Sequence, residues 1–127
     1  MLEQEDREWL AENGYKFEVV DEGGITNLIL KDFLLPRGFD RETTDLLTRL
    51  PPGFPDTAPD MFWADPPIKM AITGAFAPAS DLMEPHVSRT WQRFSRHFAG
   101  SPWRPGIDSL QSWVLCMRLL LENDVAA

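Results

Sequence analysis

The apolar positions change period along the chain, and each change marks an element. Between residues 2 and 13, Leu2, Asp6, Trp9, Leu10 and Asn13 fall on one side of a run of helix formers, and Gly14 stands where a left-handed helix stop belongs. This is a short amphipathic helix. From Tyr15 the period drops to two: Tyr15, Phe17 and Val19 alternate with Lys16 and Glu18, and Asp21-Glu22-Gly23-Gly24 supplies a turn. Residues 25–33 then resume as a β-type run, which predicts a hairpin. After a second turn signal, Leu35-Pro36-Arg37-Gly38-Phe39, the threonines and leucines of residues 43–50 read as a third strand, with a helical turn as the alternative.

Residues 50–60 hold four prolines in eleven positions, and missing amide donors and fixed φ there rule out a helix interior or a ladder. A stiff, extended loop is expected. Met61-Phe62-Trp63-Ala64 is a short apolar strand ended by Asp65-Pro66-Pro67. Residues 68–88 keep no sustained period and are punctuated by Gly74, Pro78 and Pro85, so they read as an irregular crossing with one short strand at 68–72. The last element starts at Asp108 as N-cap, with Gln111 completing a capping-box pattern. Leu110, Trp113, Val114, Met117, Leu120 and Leu121 cover one broad face, as a helix packed on a sheet requires. Helix, three or four antiparallel strands in a meander, proline-rich loop, irregular segment and helix make an α+β layer architecture, read as one domain over residues 1–127.

Composition narrows the function classes. An apolar fraction of 43% with five tryptophans and eight phenylalanines is that of a chain with a core. A net charge of −8 repels phosphate backbones and anionic lipid, so neither nucleic acid nor a membrane is an expected partner. Acids crowd the first two dozen residues, whereas Arg89, Arg93, Arg96 and Arg104 gather in the last third; this asymmetry fits a docking face and a separate working face, with solvated surface as the alternative and the better reading for the N-terminal acids alone. One cysteine makes no internal disulfide, and no apolar run approaches a signal core or membrane span, so a reducing cytoplasm is expected. Two histidines without a second cysteine give no zinc framework, and Gly23-Gly24 is a turn rather than a phosphate cradle; no metal and no cofactor are expected.

Two stretches carry a resemblance. The phrase Leu50-Pro51-Pro52-Gly53-Phe54-Pro55-Asp56-Thr57-Ala58-Pro59-Asp60-Met61-Phe62 follows the meander, and Trp103-Arg104-Pro105 precedes the closing helix, an arrangement that resembles the ubiquitin-conjugating-enzyme fold. More narrowly, Arg89-Thr90-Trp91-Gln92-Arg93-Phe94-Ser95-Arg96-His97 with Trp103-Arg104-Pro105-Gly106-Ile107-Asp108 resembles the prokaryotic conjugating-enzyme-like proteins of family E. Those occur in bacterial ubiquitination-like operons beside an activating enzyme and a ubiquitin-like protein. The resemblance covers about residues 15–121. It implies a catalytic residue between the meander and the closing helix, in a loop similar to that of the conjugating enzymes for the ubiquitin-fold modifier. Those carry a cysteine, a histidine a few residues on, then a tryptophan before the helix; here the position matching the nucleophile is Ser95.

A serine hydroxyl needs a base within reach, and His97, two residues on, lies on the same side of an extended segment. The alternatives are a turn-capping serine and a histidine that holds the loop through the backbone. Arg96 and Arg93 are candidates for stabilising an oxyanion or binding an acidic tail, against the plainer reading of solvated or paired arginines. Trp91 and Trp103 are candidates for fixing the loop. Cys116, in mid-helix beside Leu115 and Met117, reads as a small hydrophobe and is rejected as the nucleophile. His86 and Asp81 are not singled out by any spacing.

The resemblance therefore implies a conjugating acyltransferase that accepts the C-terminus of a ubiquitin-like protein from an activating-enzyme-like protein, holds it as an oxyester on Ser95 and passes it on. The alternative is a catalytically silent module that binds either partner as a scaffold. A small serine hydrolase is disfavoured by the lack of a Gly-x-Ser-x-Gly elbow.

Overall fold

The computed structural model describes residues 2–96 and 103–126. The first helix, α1 (Gln4–Glu12), buries Leu10 and ends at Asn13, with Gly14 in the left-handed region at φ 78°. Six strands follow: β1 (Lys16–Glu22), β2 (Ile25–Leu34), β3 (Thr43–Leu50), β4 (Phe62–Asp65), β5 (Leu82–His86) and β6 (Arg89–Phe94). They form one antiparallel sheet in the order β1-β2-β3-β4-β6-β5, and α2 (Leu110–Ala126) closes the chain. The arrangement is α+β and compatible with the conjugating-enzyme fold, with more strands than the three or four expected.

The two extra strands are the β5/β6 hairpin, whose turn is Val87-Ser88, both at positive φ (43° and 65°). Glycine, asparagine and aspartate normally supply that geometry, so the turn leaves no signature in the sequence. Pro85 further disguises β5. In a two-residue hairpin the flanking residues, His86 and Arg89, pair through hydrogen bonds, which puts Pro85 at an outward position of an edge strand, where its missing N–H costs no ladder bond.

The strand expected at 68–72 is absent. Ile68 meets the side-chain amide of Gln92 instead of a neighbouring strand: its N–H donates to Oε1 (2.8 Å) and its carbonyl accepts from Nε2 (3.0 Å). Beyond it the chain turns on itself through Gly74 N–H to the Met70 carbonyl (2.8 Å), leaving only an isolated bridge between Met70 and Phe39. The closing helix begins at Leu110 rather than after Asp108. Ser109 takes the capping position, its N–H donating to Ser112 Oγ (2.8 Å), while Asp108 accepts from the Arg104 N–H (2.8 Å).

The helix face predicted for residues 110–121 does meet the sheet. Leu110, Trp113, Val114, Met117 and Leu121 are buried against Leu28, Leu30, Leu46, Phe62, Ala64 and Phe94. The Trp113 indole donates to Thr48 Oγ1 at 2.8 Å, so its buried N–H is satisfied. A bulge in β2 between Leu30 and Phe33, with Asp32 at φ 51°, restores Phe33 to this face after an odd step of three residues.

The opposite face is also apolar at its centre. Ile29, Leu47, Trp63 and Trp91 form a second buried cluster. Charged side chains roof it: the Arg89 guanidinium lies 4.3 Å from the Trp91 ring and reaches Asp65 (2.9 Å) and Asp45 (3.0 Å). β2 and β3 therefore bury residues on both sides, which is why their sequences read as nearly continuous apolar runs.

Candidate functional site

Ser95 is the first residue past β6, and its placement follows from how that strand is anchored. Trp91, fully buried, donates its indole N–H to the His86 carbonyl (2.9 Å) and locks β6 to β5. Gln92, buried on the helix side, donates to the Ser80 carbonyl (2.8 Å) besides gripping Ile68, so it staples the 66–81 crossing onto β6. Phe94 stacks on Phe62 at 5.0 Å between centroids, fixing the end of the strand. Ser95 itself is half-buried, and its N–H donates to the carbonyl of Ala79 (3.0 Å). Among the described residues its hydroxyl has no hydrogen-bond partner.

The two arginines beside it are compensated. Arg96 makes a two-oxygen ion pair with Asp124 (2.9 Å to each), and its other nitrogen donates to the Ser95 carbonyl (3.2 Å). Burial pushes the Asp124 carboxyl above its ordinary value and Arg96 works against that. Arg93 projects to the opposite face, where it pairs with Glu84 (2.9 Å). Glu84 also accepts from the Trp63 indole (2.9 Å) and bonds His86 (3.2 Å); the indole bond first, then His86 and Arg93, outweigh burial and hold its carboxyl low. Neither guanidinium is a bare cation, and either would leave an ion pair on engaging an oxyanion or an acidic tail.

Trp103 donates its indole N–H to the Pro55 carbonyl (2.8 Å) and its ring lies 6.2 Å from Phe54, so the segment before α2 is tied to the proline-rich loop. His97, the expected base, lies outside the described residues. Cys116 sits within α2, partly buried and packed against the main core. No group of three or more His, Cys, Asp or Glu is placed to share a metal ion among the described residues. No described helix is long and apolar enough to cross a membrane.

The sequence model for prokaryotic E2 family E matches residues 2–124. The chain belongs to that family. The match takes in both helices, all six strands and the segment around Ser95, up to the Asp124 that closes the ion pair with Arg96. Curated proteins and solved structures gave no match.

Gln92 and Asp124 are the residues that reading the sequence missed. Each had a local signal: Gln92 is a polar residue at a helix-facing position of a strand that alternates into the core, and Asp124 is an acid in the last turn of a helix, where the dipole disfavours it.

Proposed function

We propose that this member of prokaryotic E2 family E is a conjugating acyltransferase that carries a ubiquitin-like protein as an oxyester on Ser95. In the charging step the Ser95 Oγ attacks the carbonyl carbon of the activated C-terminus; the Oγ–C bond forms as the bond from that carbon to the activating enzyme breaks, and the hydroxyl proton passes to the leaving group. Attack by an acceptor amine would then release Ser95 and form the amide. An oxyester is a poorer acyl donor than a thioester, so the second step depends on alignment and on electrostatic stabilisation of the tetrahedral intermediate.

The observation that carries this reading is the state of Ser95: a hydroxyl with no partner among the described residues, on a backbone held at both its N–H and its carbonyl. A serine kept for capping or turn formation spends its hydroxyl on a backbone group. Cys116 offers no such placement, since it belongs to the helix that builds the core. The partners of the reading are an activating-enzyme-like protein and a ubiquitin-like protein, and the compartment is the cytoplasm.

The test is to combine the protein with an activating-enzyme-like protein, a ubiquitin-like protein and ATP, and to read intact mass. An adduct that survives thiol reductant, is cleaved by mild base and is missing from Ser95→Ala is expected, and Ser95→Cys should make the bond reductant-sensitive. Tight binding of either partner with no adduct would support the scaffold instead.

A further inference from the structure

The last turn of α2 contains Asp124 and no base. Negative charge there faces the negative end of the helix dipole, and Asp124 is also only 12% exposed, so it is disfavoured by the dipole and by desolvation. Local chemistry alone would not place an ionised acid at this position. What it does have is Arg96, equally buried at 12% exposure, held through both carboxylate oxygens at 2.9 Å. The same guanidinium donates from its other terminal nitrogen to the Ser95 carbonyl and lies 5.6 Å from the Phe94 ring.

We propose that Asp124 is a positioning residue for Ser95: it fixes the Arg96 guanidinium, which in turn fixes the Ser95 carbonyl. The geometry suits this, because Nη2 alone meets both carboxylate oxygens and leaves Nη1 of the same planar group to donate to the Ser95 carbonyl. The anchor is itself rigid. Val125 is packed so closely against Gly38, in the loop between β2 and β3, that a Cβ added to Gly38 would lie 2.8 Å from the Val125 Cβ. The turn bearing Asp124 is thereby held against the loop at Gly38, and the tether transmits that fixity to the residue after β6. With Ala79 holding the N–H side, the backbone of Ser95 is gripped on both flanks while its hydroxyl has no partner among the described residues. An acid that is unfavourable by itself is retained where it orients a reacting group.

The catalytic consequence rests on the proposed function; the tether does not, and the experiment separates them. Asp124→Asn, which keeps the shape, and Asp124→Ala are compared with the native protein by amide hydrogen exchange and by adduct kinetics. The Ser95 amide should exchange about tenfold faster while amides of β2 keep their protection, as expected when a local tether rather than the fold is loosened. Adduct formation should lose about tenfold in kcat with KM for the activated partner unchanged, the mark of misplacement rather than lost binding. Unchanged protection at Ser95, parallel loss of protection in β2, or lost protection with unaltered kcat would each overturn the proposal. If the native protein forms no adduct, the conjugating reading fails, and the exchange comparison still decides whether Asp124 holds Ser95.

Discussion

Gln92 shows how much one buried amide does for the site. Its Oε1 and Nε2 meet the N–H and C=O of Ile68 and the carbonyl of Ser80, so a side chain replaces a strand as the partner of the 66–81 crossing. Gln92→Leu keeps the bulk and orphans these backbone groups; it should lower stability by about 3 kcal/mol in urea titration, since each buried unsatisfied group costs about 1–3 kcal/mol. Ser95 could be nominated from the sequence because it sits in a contiguous run that resembles a known family. Gln92 and Asp124 were not, because their partners lie 24 and 28 residues away and only the fold brings them together. The arginines were visible as candidates, yet their sequence neighbourhood did not disclose that Glu84 and Asp124 already neutralise them.

At the scale of elements, strong periodicity was informative and weak periodicity was not. The closing helix, the β1/β2 hairpin with its Gly-Gly turn, β3 and β4 all follow from spacing that burial enforces. The β5/β6 hairpin is hidden by a proline on the edge strand and by a turn made without glycine. Its strain gives a prediction: exposed Ser88, at φ 65°, occupies a conformation that glycine adopts freely, so Ser88→Gly should raise stability by about 1 kcal/mol, given the cost of about 1–2 kcal/mol for an L-residue in that region. A lower thermal midpoint in Ser88→Gly would contradict this view of the turn. The misplaced helix start has a simpler origin, since Asp108 and Ser109 are both good capping residues and Asp108 is drawn to the Arg104 N–H.

Over the whole molecule, the charges form two opposing sets with respect to pH. Asp45, Glu84 and Asp108 titrate below their ordinary values. Burial of Asp45 acts the other way but is outweighed by the Asp32 N–H, Arg89 and Lys31; Glu84 is held chiefly by the Trp63 indole, and Asp108 chiefly by the Arg104 N–H. Stability from such depressed groups is present above the unfolded range of about pH 4 and is lost as pH falls through their folded values. Asp6 and Asp124 are raised, each by burial first, with Glu3 and Glu5 adding to Asp6 and Arg96 opposing at Asp124. Their contribution is full below about pH 4 and is lost as pH rises through their folded values. Urea midpoints should therefore fall on acidification below about pH 4, and Asp124→Asn should lose less stability than the native protein between about pH 4 and neutrality. An identical pH profile in Asp124→Asn would contradict the assignment. The architecture that sets these environments, a sheet helix-covered on one side and roofed by ion pairs on the other, was legible mainly in its helix-covered half, because Arg89, Arg93 and Glu84 of the roof lie on the β5/β6 hairpin that the sequence did not reveal, and only their partners Asp45 and Asp65 lie on strands that it did.

The central claim is that oxygen, at Ser95, bears the acyl group. It is tested most directly by digesting the adduct formed with the activating enzyme, the ubiquitin-like protein and ATP, and sequencing the branched peptide by tandem mass spectrometry. A C-terminal remnant of the ubiquitin-like protein is expected on Ser95, removed by hydroxylamine and absent after Ser95→Ala. A remnant on Cys116, or an adduct that persists unchanged in Ser95→Ala, would contradict the claim.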